Sequence, residues 1–368
     1  MDLNAPIIYY ITAHGYGHGT RACDILNALC RQAPRIPIIV VSDLPKPFLS
    51  HRLNADQVTF RKESFDVGLV QFDDIQVDVP ATLNKVIGLH EKRDQLIQEE
   101  TAFLNEQQAA LVIVDIPAIP LFAAKEVGIP SIAIANFGWD WIYSAFTHDN
   151  PRWKKYVDWF HEGYATTDLL LRLPFSEEMN AFPRIEDIFL VASPGRERRG
   201  DIIKKRGCVP TKKWILLSFG ALNWDPSVID RIQKLEPYEF FTVYHLFWEG
   251  KNFHAIDMKS IPFSDLIASM DGVISKPGYG IVSDCIANKK PLACTDRSNF
   301  LECSILVEGI KKYLQHVYLP AEKLYKGDIA ETIEKLLNVP LPQHTMGNDG
   351  VKVAIHRIMD LYDDESSL

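Results

Sequence analysis

Tyr9-Tyr10-Ile11-Thr12-Ala13-His14-Gly15-Tyr16-Gly17-His18-Gly19-Thr20-Arg21 is the stretch whose reading decides the fold. The apolar run at 7–11 reads as a buried strand, and three glycines at alternate positions form a turn that a ligand can approach closely. From Thr20 the apolar residues Ala22, Ile25, Leu26 and Leu29 fall at helical spacing, so a helix is predicted to begin there. Strand, glycine turn and helix start bring free backbone N–H groups and the positive helix end to one spot, which suits an anion or a sugar-phosphate oxygen. His14 and His18 stand inside the turn. They act there either as proton acceptors near neutral pH or as local hydrogen-bonding residues of an ordinary strand-to-helix connection.

Outward from this unit the same alternation continues. Residues 36–41, 111–115 and 129–135 read as further buried strands, with helical segments at 82–107 and Ile119–Val127 between them. Such alternation predicts an all-parallel, doubly wound sheet. Residues 60–80 are irregular and acidic (Glu63, Asp66, Asp73, Asp74, Asp78), a loop long enough to be functional or mobile. After the fourth strand comes Asn136-Phe137-Gly138-Trp139-Asp140-Trp141-Ile142-Tyr143. Its aromatics either pack a helix onto the sheet or, with Asn136 and Asp140, line a sugar site past a strand's carboxyl end.

Periodicity fades over 175–210, where prolines 183, 194 and 210 accompany a charged run at 196–206. The pattern then restarts with strands at 214–220, 240–246 and 272–275. A second glycine turn, Lys276-Pro277-Gly278-Tyr279-Gly280, leads into a helix with the buried stripe Ile281, Val282, Cys285 and Ile286. Val351, Ala354, Ile355 and Ile358 mark a final amphipathic helix before a fraying acidic tail. The expected organisation is a first domain at 1–180, a linker at 181–210 and a second domain at 211–345. A C-terminal segment at 346–368 is expected to pack back on the first domain. Two such halves set a cleft between them as the default ligand site.

Composition narrows the function. The chain has 368 residues, 47% hydrophobic and 24% charged, with a net charge of -9, which disfavours wholesale binding to nucleic acid or anionic membrane. No segment reads as a signal peptide or a membrane span. The six cysteines show no CxxC pair and no zinc spacing, so they read as buried free thiols in a reducing, cytoplasmic setting. Neither glycine turn is a GxGxxG followed by a suitably spaced acid, which argues against a nicotinamide dehydrogenase. A P-loop, GxSxG and HExxH are absent.

Three segments, Ile261-Pro262-Phe263-Ser264-Asp265-Leu266, the run 271–284 and Lys290-Pro291-Leu292, resemble the nucleotide-sugar half of GT-B glycosyltransferases. The likeness is to the branch that holds the peptidoglycan N-acetylglucosaminyltransferase and the plant UDP-glycosyltransferases. The segment from His14 to Arg21, Asp66-Val67-Gly68-Leu69-Val70-Gln71, the cluster 136–143 and Arg297-Ser298-Asn299-Phe300-Leu301-Glu302 more closely resemble the glycosyltransferase-like N-terminal part of plant L-arabinokinases. The likeness runs over most of the chain, 6–320. It does not bring the sugar-kinase half of those enzymes, so it implies no kinase activity.

The resemblance implies an α/β fold of GT-B type, with two Rossmann-like doubly wound domains facing across a cleft. The implied activity is transfer of a sugar from a nucleotide sugar, a UDP-sugar by this likeness, to a hydroxyl acceptor. His18 matches the general base, and Asp115 matches the aspartate that orients it, or else caps the helix after Pro117. On the donor side Gly278 and Gly280 would receive the diphosphate, approached by Ser218, Gly220 and Ala221. Asp284 matches the ribose-binding acid, shorter than the glutamate of many relatives. Ile261 and Phe263 would contact the base, and Asn299 and Glu302 the donor sugar. Lys276 and Arg21 are the nearest cations for a departing nucleoside diphosphate, or are surface charges.

The acceptor side is assigned Gly17, Arg21, Asp66, Gln71, Asn136, Trp139 and Asp140, a polar set that suits a sugar-like acceptor. One histidine base and a single displacement imply inversion. GT-B enzymes generally work without a metal, and Asp73-Asp74 precedes no phosphate-binding turn, so no metal and no cofactor beyond the nucleotide sugar is expected. Two alternatives stand beside the transferase: a non-catalytic nucleotide-sugar sensor, and a nucleotide-sugar 2-epimerase, which would need no acceptor. The first turn resembles the transferase base rather than the epimerase acids.

Overall fold

Residues 5–53, 56–72, 75–243, 246, 248, 250–297 and 300–365 are described by the computed structural model. They group into two compact units, one of residues 1–70, 78–191 and 347–368 and the other of 71–77 and 192–346.

In the first unit the chain runs β1 (Ile7–Ile11), α1 (Tyr16–Gln32), β2 (Ile38–Val41), α2 (Lys46–Arg52), β3 (Val58–Arg61), α3 (Val79–Glu91) and α4 (Arg93–Gln107). It continues through β4 (Leu111–Asp115), α5 (Ile119–Val127), β5 (Ser131–Ala135), α6 (Trp139–Ser144), α7 (Lys154–Tyr164), β6 (Leu169–Arg172) and β7 (Ile185–Asp187). The seven strands form one parallel sheet in the order β3-β2-β1-β4-β5-β6-β7. The central strands β1, β4 and β5 are buried along their whole length, which their unbroken apolar runs require once helices cover both faces.

Two predicted boundaries move. Helix α1 begins at Tyr16 rather than Thr20, so Gly17 and Gly19 belong to the helix and only Gly15 makes the turn. Gly15, at φ 90° and ψ 153°, takes a backbone conformation that side chains resist. Gly19 is needed for a different reason: a Cβ there would lie 2.6 Å from Leu44 Cδ1 and 2.7 Å from Phe48 Cε1. The single helix expected over 82–107 is two helices that break at Lys92. The buried stripe of α3, through Leu83, Val86 and His90, is therefore not continuous with Glu100 and Leu104 of α4.

The second unit runs α8 (Arg199–Arg206), β8 (Lys213–Ser218), α9 (Pro226–Gln233), β9 (Tyr238–Val243), β10 (Phe253–Ile256), α10 (Phe263–Ala268) and β11 (Gly272–Ser275). It closes with α11 (Tyr279–Ala287), β12 (Leu292–Thr295), α12 (Glu302–Tyr313), β13 (His316–Leu319), α13 (Ala321–Lys326) and α14 (Ala330–Leu337). Its six strands are again parallel, in the order β10-β9-β8-β11-β12-β13. Ile75, from the short segment 71–77, sits in this unit's core with Ile215, Leu217, Phe240 and Ile274.

The stretch 181–210 is not a separate linker. It is divided, with β7 completing the first sheet and α8 opening the second unit. The last helix, α15 (Gly350–Glu365), belongs to the first unit and packs on α1. Tyr362 OH donates to the Ala5 carbonyl at 2.9 Å, and Arg357 Nε reaches Glu186 at 2.8 Å. Among the described residues no helix is long and apolar enough to cross a membrane. All six cysteines are free, with Cys303 half-buried and the others buried.

Candidate functional site

The first site grows from the centre of the seven-stranded sheet. Strand β1 pairs with β2 on one side and with β4 on the other, so its carboxyl end is the point where successive connections part to opposite sides. Ligands of open α/β sheets bind at such a switch point. Ile11 and Asp115 are cross-strand partners there, and the Thr12 amide donates to the Asp115 carbonyl at 2.9 Å. Because α1 starts at Tyr16, His18 and Arg21 lie one turn apart on the same helix, over the end of β4.

Asp115 is fully buried and sits 2.7 Å by Oδ1 from His18 Nδ1. Arg21 clasps the same carboxylate side-on, from Nε to Oδ2 and from Nη2 to Oδ1, each at 2.5 Å, and Arg21 Nη1 donates to Asn136 Oδ1 at 2.8 Å. Burial alone would push the Asp115 carboxyl up. The Arg21 guanidinium, the neighbouring His18 ring and the hydrogen bonds from both outweigh it and hold the group below the usual carboxylate range. The next residue, Ile116, has φ 124°, a conformation that costs on the order of 1–3 kcal/mol and persists only where its surroundings hold it. One such hold is Tyr164, whose hydroxyl donates to the Ile116 carbonyl at 3.0 Å.

A layer of buried polar and aromatic groups stands behind this cluster. Asp66 accepts from Thr12 Oγ1 and from Trp139 Nε1, both at 2.9 Å, and burial raises its carboxyl above the usual range. His14 packs nearly perpendicular to the Trp139 ring, with centroids 5.4 Å apart, and its amide donates to Thr12 Oγ1 at 3.2 Å. Gly68, at φ 68°, presses so close that an added Cβ would lie 2.2 Å from His14 Nδ1, and its carbonyl accepts from Tyr143 OH at 2.9 Å. The aromatic cluster therefore packs a helix onto the sheet. Trp139 Nε1 is spent on Asp66.

Several residues assigned to the acceptor side lie buried. Arg21, Asp66, Asn136 and Trp139 are 3%, 9%, 1% and 0% exposed, and their polar atoms engage one another, Thr12 or Asp115. Gly17 is half-buried on α1, and Asp140 is half-buried in α6, 3.4 Å from His161 Nδ1. Gln71 forms an antiparallel bridge with Val77 in the segment that belongs to the second unit.

One acid escaped the sequence reading. Glu177 follows β6, donates by its amide to the Asn136 carbonyl at 3.3 Å and accepts from the Met179 amide at 2.7 Å. Burial pushes its carboxyl up to about 6. Its signal in the sequence is an acid a few residues past a strand that was itself not predicted. The flanking Phe175 and Met179 both have positive φ, at 58° and 56°.

In the second unit the corresponding point lies between β8 and β11, which pair through Ser218 and Ser275. Ser275 Oγ donates to the Ser218 carbonyl at 2.7 Å. That pairing gathers Ser218, Gly220 and Ala221 on one edge with Lys276, Gly278 and Gly280. Gly278 caps α11 in extended conformation; no side chain caps this helix, and a Cβ on Gly278 would meet nothing within 4 Å. Open space before a helix start suits an oxyanion.

Other donor assignments lie deeper. Asp284 and Glu302 are buried in α11 and α12. Ile261 is buried beside half-buried Phe263 and lines a cavity of about 260 Å³ with Ile202, Lys205, Arg206, Ile256, Asp257 and Ser260. Asn299, Asp73 and Asp74 lie outside the described residues. Among the described residues no group of three or more His, Cys, Asp or Glu side chains is placed to hold a metal ion.

No family model matches the chain. Along 96% of its length it is 26% identical to L-arabinokinase of Arabidopsis thaliana, of which the match spans 34%. Among solved structures it is similar to Phytolacca americana UGT2 complexed with UDP-2fluoro-glucose and pterostilbene. The TM-score is 0.61 at 13% identity, over 98% of this chain and 94% of that one. It is likewise similar to UDP-glucose: anthocyanidin 3-O-glucosyltransferase in complex with UDP, with a TM-score of 0.59 at 12% identity, over 98% and 95% of the two chains. With its two parallel-sheet units and these structural neighbours, the chain has the GT-B glycosyltransferase fold.

Proposed function

We propose that this protein is a nucleotide-sugar glycosyltransferase, using a UDP-sugar donor and a hydroxyl acceptor. The observation that carries the reading is the 2.7 Å contact between His18 Nδ1 and the buried Asp115 carboxylate at the first sheet's switch point. An imidazole held by Nδ1 against a carboxylate keeps its other nitrogen for an incoming proton. No described residue hydrogen-bonds to His18 Nε2.

The chemistry then runs as one displacement. Nε2 takes the acceptor O–H proton as that oxygen forms its bond to the anomeric carbon. The bond from that carbon to the phosphate oxygen breaks, and the nucleoside diphosphate leaves with the electron pair. A single displacement inverts the anomeric centre. In the second unit, the amides at the start of α11 and the open space before Gly278 suit the diphosphate, with Lys276 beside them. The reaction needs no metal in this scheme. The free thiols suit a reducing compartment such as the cytoplasm.

The test is turnover and binding of one variant. With UDP-glucose and a panel of sugar and phenolic acceptors, in buffer containing EDTA, wild-type protein should release UDP only when an acceptor is present. His18→Ala should bind UDP unchanged by calorimetry while transfer falls by roughly 10²–10⁴-fold. Unchanged turnover in the variant sinks the assignment. UDP release without any acceptor indicates the epimerase reading. UDP binding with no turnover indicates a binding module.

A further inference from the structure

Beside the His18–Asp115 contact lies a second one. Arg21 Nη2 is 2.9 Å from His18 Nδ1, so this ring nitrogen has both a carboxylate oxygen and a guanidinium nitrogen within hydrogen-bond distance. Guanidinium can only donate and an ionised carboxylate can only accept. If Nδ1 accepted from Arg21, its lone pair would face the Asp115 Oδ1 lone pairs across 2.7 Å. If Nδ1 carries the hydrogen, it donates to Oδ1, and Nη2 spends one of its two hydrogens on the same oxygen at 2.5 Å. The second arrangement gives Asp115 Oδ1 two donors and sets no lone pair against another.

The charge count follows from the same contacts. Asp115 is fully buried, and Arg21, 3% exposed, meets both carboxylate oxygens while Asn136 takes a third guanidinium hydrogen. The carboxylate is thus already matched by one full positive charge. A protonated His18 would place a second cation against Nη2 in a region where charges are weakly screened. Without Arg21 the sign reverses: a lone buried carboxylate would draw a proton onto the ring, and a protonated ring has no lone pair to offer. The other groups facing the ring are the edge of Phe137, at 5.8 Å between centroids, and the Asp66 carboxylate, which is itself held by Thr12 and Trp139. The buried Tyr9 hydroxyl lies within the fields of Asp115 and Arg21.

We propose that Arg21 is a positioning residue which, by neutralising Asp115, keeps His18 uncharged with its hydrogen on Nδ1 and its Nε2 lone pair available at neutral pH. The inference rests on the transferase reading for the use made of that lone pair. Its physical content, the coupling of Arg21 to the ring, stands apart from turnover.

The experiment uses full-length protein with ¹⁵N-labelled histidine, the His18 signals being assigned by their loss in His18→Ala. Long-range ¹H–¹⁵N spectra of wild type near pH 7.5 should show the Nδ1–H form. Arg21→Met should move the midpoint of the His18 ring titration upward by at least one pH unit, and the acid limb of the kcat/KM profile with UDP-glucose should move with it. Arg21→Lys keeps the charge but not the fork, so it should restore the midpoint to within about 0.3 unit while kcat stays reduced roughly tenfold. A ring hydrogen on Nε2 in wild type overturns the proposal even if Arg21→Met fails to fold, and so does an unmoved midpoint in a folded Arg21→Met. If His18→Ala leaves turnover intact while the titration shifts as stated, the transferase reading fails and the coupling survives. If His18→Ala abolishes transfer and the midpoint does not move, the coupling alone fails.

Discussion

Two carboxylates in the first unit show how position on the sheet edge sets charge. Asp115 is held ionised because Arg21 and His18 outweigh its burial, whereas at Glu177 burial, with Asp140 and Glu178 nearby, wins and lifts the carboxyl to about 6. The sign for Glu177 follows directly. Its folded value lies above the ordinary glutamate value, so the folded state binds the proton more tightly than the unfolded chain. Stability from this group is present at pH 4 and falls as pH rises through about 6. Glu177→Gln should therefore leave stability nearly unchanged at pH 4 and raise it by up to about 1 kcal/mol at pH 7.5, after allowance for solvent screening. Urea unfolding at the two pH values measures this, and an equal effect at both would show that the carboxylate's charge is not the cause. The charge state of neither acid is legible in a linear sequence, since each owes it to burial and to partners from other elements.

At the scale of elements, the opening of α1 decides where the site residues point. An apolar spacing rule starts the helix at the first apolar-periodic residue, and the glycines before it read as a turn. In the folded unit Gly15 alone absorbs the change of direction, and the helix extends four residues further back than Thr20. That extension puts His18 on a helical turn with Arg21. Gly15→Ala should cost about 1–3 kcal/mol through backbone strain alone, because no atom lies within 4 Å of the added Cβ. Gly15→Asn should cost as much, since its ψ of 153° is outside the left-handed helical region that asparagine tolerates. Thermal unfolding of the pair checks this, and recovery in the asparagine variant would refute it. The sequence concealed the interior strands β6 and β12, which are short, and also strands at the sheet edge. Strand β3 is partly exposed, and β7 has three residues, two of them acidic, so neither carries the buried apolar run that marks β1 or β4.

At the scale of the molecule, chain order and unit membership diverge. Segment 71–77 is counted with the second unit although 1–70 and 78–191 make up the first, and α15 returns to the first unit after the whole second unit has been built. The returning helix buries Ala354, Ile355, Ile358 and Tyr362. Ile358 is fully buried, so Ile358→Ala should destabilise the first unit by about 2–5 kcal/mol. Differential scanning calorimetry should show one transition lowered. Equal displacement of all transitions would mean that the two units unfold as one.

What the sequence determined by itself is the plan: parallel α/β units and glycine-rich stretches at the carboxyl ends of β1 and β11, with the pair His18 and Asp115 offered only through the family resemblance. Hydrophobic runs and glycine placement are local, and burial on both sheet faces imposes them residue by residue. Only the tertiary structure decided that Arg21 belongs to Asp115, that Trp139 and Asp66 support the site from behind, and that Glu177 joins the same edge. Arg21 and Asp115 are 94 residues apart and meet because β4 lies beside β1. Strand order is a property of the whole sheet, and with it comes the choice of which charges are buried together.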